Sequence, residues 1–523
     1  MIEKIRLRLK PEDFADKDRV RKLLAQAVDN DLNDYKLFRK SIDARQRQVW
    51  IDTEYLVATK DDLKIDEDPH QVDFKSVDKS SPQVIIVGAG PAGLFAALKA
   101  LEHGWKPVVI ERGKSVEERL PDVVDLQKKH ILNPESNFCF GEGGAGAFSD
   151  GKLFTRSKKR GNVKEILSLL YRFGAKKEVL YEAHPHIGSD KLPKIIKNIR
   201  EFIKSKGGEV HFSTRMKSLV LQDGTVNGII TSDDREFQGP VILATGHSAH
   251  DVYEYLHSAN IKLEEKGFAM GVRLEHPQNV IDRIIYHSNE GRGEYLPPAE
   301  YKMSAQVDGR GVYSFCMCPG GVIVPSASAP GESVVNGMSA SGRSGRWANS
   351  GMVVEIRPED FPEYGKFGSL GMLRLQQDTE RNFFKESDSI NAPAQRMKDF
   401  VEQKVSSDLP RTSYVPGIHA ADFSMLLPDP ISSRLKKGFE IFGKKNKGFL
   451  TNDAVLIGLE SRTSSPVRIP RDSETLEHVE TPGLYPVGEG AGFSGGIVSS
   501  AIDGQRAMDS IAKKVSQSKH LNY

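Results

Sequence analysis

The residues most plainly equipped for chemistry are three glycines at fixed spacing, Gly88-Ala89-Gly90-Pro91-Ala92-Gly93, directly after Val84-Ile85-Ile86-Val87. Four β-branched residues in a row read as a strand buried on both faces. Gly88 permits a tight turn, Gly90 lets the backbone come close to a pyrophosphate, and Gly93 lets the following helix pack on the strand. Phosphates would then meet a helix N-terminus, whose unpaired N–H groups favour an anion. Glu111, ending the next apolar strand with Arg112 behind it, is placed to accept hydrogen bonds from a ribose diol, and its charge repels a 2′-phosphate. FAD and NAD fit this pattern and NADP fits poorly; the competing reading is a glycine turn with no ligand.

A second candidate is Phe140-Gly-Glu-Gly143-Gly144-Ala-Gly146-Ala-Phe-Ser149-Asp150-Gly151-Lys152, with four glycines in the six residues 141–146. No helix or strand interior tolerates that density, so the backbone must bend tightly or approach something closely. A flat ring suits such a surface, with Ser149, Asp150 and Lys152 as polar contacts; the alternative is a loop with no ligand. Lys152, Arg156, Lys158, Lys159 and Arg160 form a basic run, read as a solvated face or as a phosphate site. Cys316 and Cys318 would share a strand face. Their Cα atoms in an extended strand would stand about 6.5–7 Å apart, at the limit of a disulfide, so buried small hydrophobes are the preferred reading over a redox relay. Cys139 has no partner near it in sequence. His184, His186 and His247 are candidate proton donors, with packing as the alternative role. No catalytic residue and no metal ligand set is assigned.

The elements that must position these groups follow from periodicity. Residues 1–60 read as a small α+β module, with alternating strands around Ile5–Leu9, Tyr35–Ile42 and Gln48–Val57 and a helix over Arg19–Val28. Residues 61–81 are polar, acidic and end in Lys-Ser-Ser before Pro82, a linker composition. From 82 to 250 the pattern is strand, Ala-rich helix stopped by Gly104, strand, and later a helix with further strands, hence a parallel sheet. Residues 251–450 change to scattered Pro and Gly with alternating segments such as Phe268–Leu274 and Val312–Val324, an inserted, mostly β lobe. Residues 451–523 return to the first sheet through Leu484–Val487 and a last helix. The fold class expected is α/β, a Rossmann-like dinucleotide-binding domain with an inserted β-rich substrate lobe and a small α+β N-terminal module.

Three separated segments resemble the glutathione-reductase-like flavoproteins with two dinucleotide-binding domains. They are Gly88–Gly93 with Glu111, Val241-Ile-Leu-Ala-Thr245-Gly246, and Leu484-Tyr-Pro-Val-Gly488-Glu489-Gly490. With Phe268–Pro277, Phe315–Gly321 and Glu460–Arg468, the whole chain is similar to a group of bacterial FAD-dependent dehydrogenases. The resemblance implies FAD, with Thr245 and Gly246 against the nucleotide, Met216 beside the adenine, and the acid after Gly488 on the ribityl chain. Glu489 stands there in place of the more usual Asp. Gly490-Ala-Gly492-Phe-Ser-Gly495 spells a second glycine motif, but no strand and acid follow it; it is read as the N-terminus of a helix at Gly496 facing the flavin.

Composition bounds the rest. Lysine and arginine exceed aspartate and glutamate by 73 − 71 = 2, too little field for a polyanion or an anionic membrane. Three cysteines in 523 residues make no disulfide framework, and no run of about 18 apolar residues occurs, so a cytoplasmic setting is expected. The function expected is flavin-dependent oxidoreduction of a small molecule, with NAD(P)H or a protein as electron donor. The alternatives are a flavin–dithiol relay through Cys316 and Cys318, or an FAD-stabilised binding protein without catalysis.

Overall fold

The computed structural model describes residues 2–29, 31–59, 72–155, 161–387 and 389–521. Most of the expected linker, 61–71, and the basic residues 156–160 lie outside them. Near the N-terminus, strands Ile2–Leu9, Asp34–Asp43 and Trp50–Ala58 form an antiparallel sheet with the last strand central. The helix Lys17–Ala27 packs Val20 and Leu24 against Leu9, Tyr55 and Val57. This unit is stitched to the body where Lys40 N–H donates to the Tyr181 carbonyl (2.9 Å) and Ala183 N–H to that of Lys40 (2.8 Å), beside a Lys40–Glu182 ion pair.

The body is built on five parallel strands in the order Leu484–Pro486, Val241–Leu243, Gln83–Val87, Lys106–Ile110, Glu209–His211. Burial of both faces explains the unbroken β-branched runs. Val84 and Ile86 face the helices Pro91–His103, Val163–Arg172 and Leu192–Ser205. Ile85 and Val87 face a separate antiparallel sheet, Met216–Gln222, Thr225–Thr231 and Glu236–Gln238, and the helix His250–Ser258. Pro91–His103 is Ala-rich because it is covered on all sides, lying between the sheet and the final helix Ile497–Leu521. A Cβ at Gly504 would stand 2.0 Å from the Ala92 carbonyl oxygen, so these two helices meet backbone to backbone.

The lobe is an eight-stranded, largely antiparallel sheet centred on Arg310–Pro325, Trp347–Ile356, Phe268–Pro277 and Val455–Glu460. Its limits differ from those read in the sequence. Helix His250–Ser258 buries Val252, Tyr253 and Leu256 under the parallel sheet, and Val455–Glu460 lies inside the lobe sheet beyond residue 450. The chain leaves and re-enters the body through a two-stranded ribbon, Glu264–Glu265 against Val467–Arg468. Two long helices, Gly371–Ser387 and Asp429–Lys445, also pack on this lobe. In the first, the apolar periodicity of Met372, Leu375 and Phe383 is interrupted by Gln376, Gln377, Thr379 and Glu380, which are buried beside them.

Candidate functional site

One cleft of about 380 Å³ runs across the carboxyl ends of the parallel strands and under the lobe. Ligands of open α/β sheets collect at that edge because helix N-termini and glycine turns converge there. At the first turn Gly88 adopts φ +108, and a Cβ would lie 2.4 Å from the Ala244 carbonyl oxygen. At Gly93 a Cβ would lie 1.9 Å from the Gly88 oxygen, so this glycine serves helix–strand packing. Gly90 differs. A Cβ there meets nothing nearer than Gly144 Cα at 4.0 Å, and one at Gly246 meets nothing within 4 Å, which leaves space over both turns for a ligand.

Glu111 lines the cleft but is not free. Its carboxylate accepts from the backbone N–H groups of Ala89 (2.8 Å), Gly113 (3.0 Å) and Gly141 (3.1 Å), fixing the two loops on either side. Arg112 is clamped between Glu135 and Asp251, both at 2.9 Å, and lies 4.2 Å from the Phe140 ring centroid. Met216 borders the same end as the first residue of its strand. Pro91, Ala92, Gly144, Gly146, Thr245, Gly488 and Gly496 also line it, as do Cys139, Ser149, Asp150, Lys152 and Cys316. Ala89, Gly93, Gly143 and Gly490 stand behind it: Gly143 N–H donates to the Ala89 carbonyl (2.8 Å), and Tyr253 Oη donates to that of Gly490 (2.7 Å).

At the other end the expected polar contacts are spent on the protein itself. Asp150 is buried and binds Arg343 bidentately (3.1 and 2.6 Å), with Ser339 Oγ donating to it as well. Burial pushes the Asp150 carboxyl up, but the Arg343 guanidinium outweighs it and holds the group below its ordinary range. Asp150 is therefore a strut between the glycine loop and the lobe as well as part of the cleft wall. Ser149 Oγ donates to the Gly146 carbonyl (2.8 Å). Lys152 Nζ donates to the Met317 carbonyl and lies 3.8 Å from Glu300. Glu489 faces the cleft half-buried, and burial pushes its carboxyl up to about 7.

Of the three histidines, His247 alone lines the cleft; its Nδ1 is buried without a partner, and burial with the nearby Arg462 depresses it to about 3. It is neutral at physiological pH and carries no proton to donate as an imidazolium. His184 is exposed and stacks on Phe154 with centroids 4.6 Å apart, while His186 is held by the Ser341 carbonyl (3.2 Å). Sequence reasoning missed Arg119, which is fully buried and donates to five backbone carbonyls, those of Asn137, Phe138, Gly141, Glu142 and Gly144, at 2.7–3.3 Å. It also missed Arg343 and Arg462, whose partners lie far away in the chain.

The parallel sheet, its glycine turn and a cleft fed by segments from near residue 90, 245 and 490 define a dinucleotide-binding flavoprotein. Residues 83–119 match an FAD binding domain model and 267–463 match "FAD-dependent protein, C-terminal domain-like", while 1–58 match a domain of unknown function. An uncharacterized protein of Clostridium beijerinckii is 40% identical over 502 residues, spanning 92% of this chain and 93% of that one. The chain belongs to the family of that protein, a family of bacterial FAD-dependent oxidoreductases whose cofactor is FAD. Similar solved structures include a geranylgeranyl bacteriochlorophyll reductase-like protein of Thermoplasma acidophilum (12% identity, 85% of this chain and 80% of that one, TM-score 0.35). Another is a 3-ketosteroid dehydrogenase of Rhodococcus jostii (13% identity, 84% and 99%, TM-score 0.34). The lobe model's limits, 267 and 463, fall just inside the ribbon Glu264–Glu265/Val467–Arg468. No helix among the described residues is long and apolar enough to cross a membrane.

Proposed function

We propose that the cleft holds one FAD and that the enzyme exchanges a hydride between that flavin and a small molecule admitted beneath the lobe. The carrying observation is the continuity of the cleft from Glu111 and Met216 past Gly90 and Gly488 to Lys152 and Cys316. Gly88, Gly90 and the N-terminus of Pro91–His103 would hold the pyrophosphate, through backbone N–H groups and the absence of side chains. Glu111, Arg112 and Met216 would border the adenosine, and Glu489 would accept from ribityl hydroxyls. Gly144, Gly146, Thr245, Gly246 and Gly496 would border the rest of the cofactor. The flavin supplies the two-electron chemistry; the chain supplies position, electrostatics and exclusion of water.

The substrate side is bordered by Phe154, Phe315 and Asn336, with Lys152 as the nearby cation. Two aromatic rings and an amide suit a largely apolar molecule with one or two hydrogen-bonding groups. The electron donor or acceptor would be NAD(P)H or a redox protein. Denaturing purified protein and chromatographing the released material tests the cofactor: one FAD per chain is expected, and no flavin, with no binding on adding it back, ends this reading. Bleaching of the bound flavin by NADH, NADPH or reduced ferredoxin tests catalysis; inertness toward all of them rejects the hydride-transfer reading and leaves a binding protein.

A further inference from the structure

Cys316 and Cys318 do not sit on a straight strand. Their strand pairs in register with its neighbour to Phe315↔Gly351, then slips and resumes at Cys318↔Asn349, so three residues oppose two. That is a β-bulge, a device that re-aims a side chain. Within it Cys316 adopts φ +44, in the left-handed region that a non-glycine residue seldom enters. The backbone is therefore not extended there, and the extended spacing that argued against a bond between the two sulfurs does not apply.

The bulge turns Cys316 onto the cleft wall, half-buried, and leaves Cys318 buried behind it with its thiol 3.4 Å from the Cys316 carbonyl oxygen. Two cations hold the turn. Arg273, fully buried, donates to the Cys316 carbonyl (2.7 Å) and to Cys318 Sγ (3.5 Å), and Lys152 Nζ donates to the carbonyl of the intervening Met317. The neighbouring Cys318 thiol is the main cause that lowers the Cys316 thiol below its ordinary range, with Lys152 and Arg273 adding to it against burial. A thiol of lowered pKa on the wall of the cleft, beside a second thiol and two cations, is a more reactive arrangement than two isolated buried thiols.

We propose that Cys316 and Cys318 are a redox-active pair that exchanges two electrons with the bound FAD. In the forward direction the two S–H bonds break and one S–S bond forms. The two electrons and two protons pass to FAD, giving FADH2, which dioxygen or the enzyme's own acceptor reoxidises. The inference rests on the FAD reading above and adds to it a second two-electron store. Cys139, whose thiol donates to the Ser326 carbonyl (3.4 Å), remains a thiol throughout and serves as an internal count.

The test uses the whole flavin-loaded protein. Air-oxidised enzyme, denatured without oxygen in an alkylating agent, is expected to label only Cys139, with the peptide carrying 316–318 lighter by two hydrogens. Anaerobic titration with dithionite is expected to consume four electrons per FAD, and two in Cys318→Ser. Three labelled thiols in the oxidised enzyme, or two electrons per FAD in the unaltered protein, would overturn the pair while leaving the flavin reading intact. Absence of flavin from the purified protein would instead remove the reading on which the pair depends.

Discussion

Gly90 and Gly93 are three residues apart in one motif, yet the structure gives them different duties. A side chain at Gly90 would enter the cleft, whereas one at Gly93 would strike the backbone of the turn. Gly90→Val is expected to yield folded, colourless protein. Gly93→Ala is expected to cost at least ~1–3 kcal/mol of stability through forced overpacking. Circular dichroism melts beside the visible spectrum separate them, and yellow Gly90→Val protein would contradict the phosphate position. Glu489→Ala removes a charged acceptor from the cleft. It should weaken FAD by about 1.5–3 kcal/mol, roughly ten- to a hundred-fold in Kd, measured by fluorescence titration; an unchanged Kd would move the ribityl chain elsewhere. The placement of the glycine turn and of Glu111 on the cleft was legible because it follows from short spacing after a strand. The ion pair of Asp150 was not legible because its partner, Arg343, lies 193 residues away and no local pattern announces it.

Struts of that kind decide how the elements stand. The glycine loop after Phe140 is tied to the lobe by Asp150–Arg343–Glu300, and the helix Gly371–Ser387 is tied to the segment after Val455–Glu460 by Glu380 and Arg462, which meet at 2.8 and 2.9 Å. Truncating one member of such a buried pair strands a charge. Arg343→Ala is expected to destabilise the protein by about 3–5 kcal/mol in chemical denaturation. A loss below ~1 kcal/mol would show the strut to be dispensable. The sequence made the parallel sheet plain because its strands are buried on both faces, with Ile85 and Val87 turned one way and Val84 and Ile86 the other. It concealed Gly371–Ser387, whose inward face mixes Met372, Leu373, Leu375 and Phe383 with the hydrogen-bonding Gln376, Gln377, Thr379 and Glu380. Asp429–Lys445, by contrast, carries Ile431, Leu435, Phe439 and Phe442 at helical spacing and was open to detection.

For the molecule as a whole, buried titratable groups set the response to acid. His247 and His276 gain a proton near 6.5 when unfolded but only at about 3 and about 4 when folded, because burial disfavours the charged ring. Their contribution is present above 6.5 and is lost as pH falls through those folded values. Glu460 and Glu489 act oppositely: protonated below about 7 in the fold and below 4.5 unfolded, they add stability that is complete below 4.5 and lost as pH rises through 7. Glu142, also pushed up to about 7 by burial, joins the glutamates, and His250, held well below its ordinary value, joins the histidines, so the two sets offset each other between about 6.5 and 4.5 and only the histidines continue to act below. The Tm of cofactor-free Gly90→Val protein should therefore change little across that interval and drop below about 4.5. A Tm that climbs continuously to pH 3.5 would refute this balance. The stability of the site before loading has a further source in Arg119, whose every hydrogen bond to the glycine loop is to main-chain oxygen. Peptide carbonyls drawn inward toward one guanidinium leave the loop's path set by the chain and not by its occupant. An emptied enzyme thus keeps its mould, and mixing it with fresh cofactor should restore colour at the pace of molecular encounter, with no refolding lag.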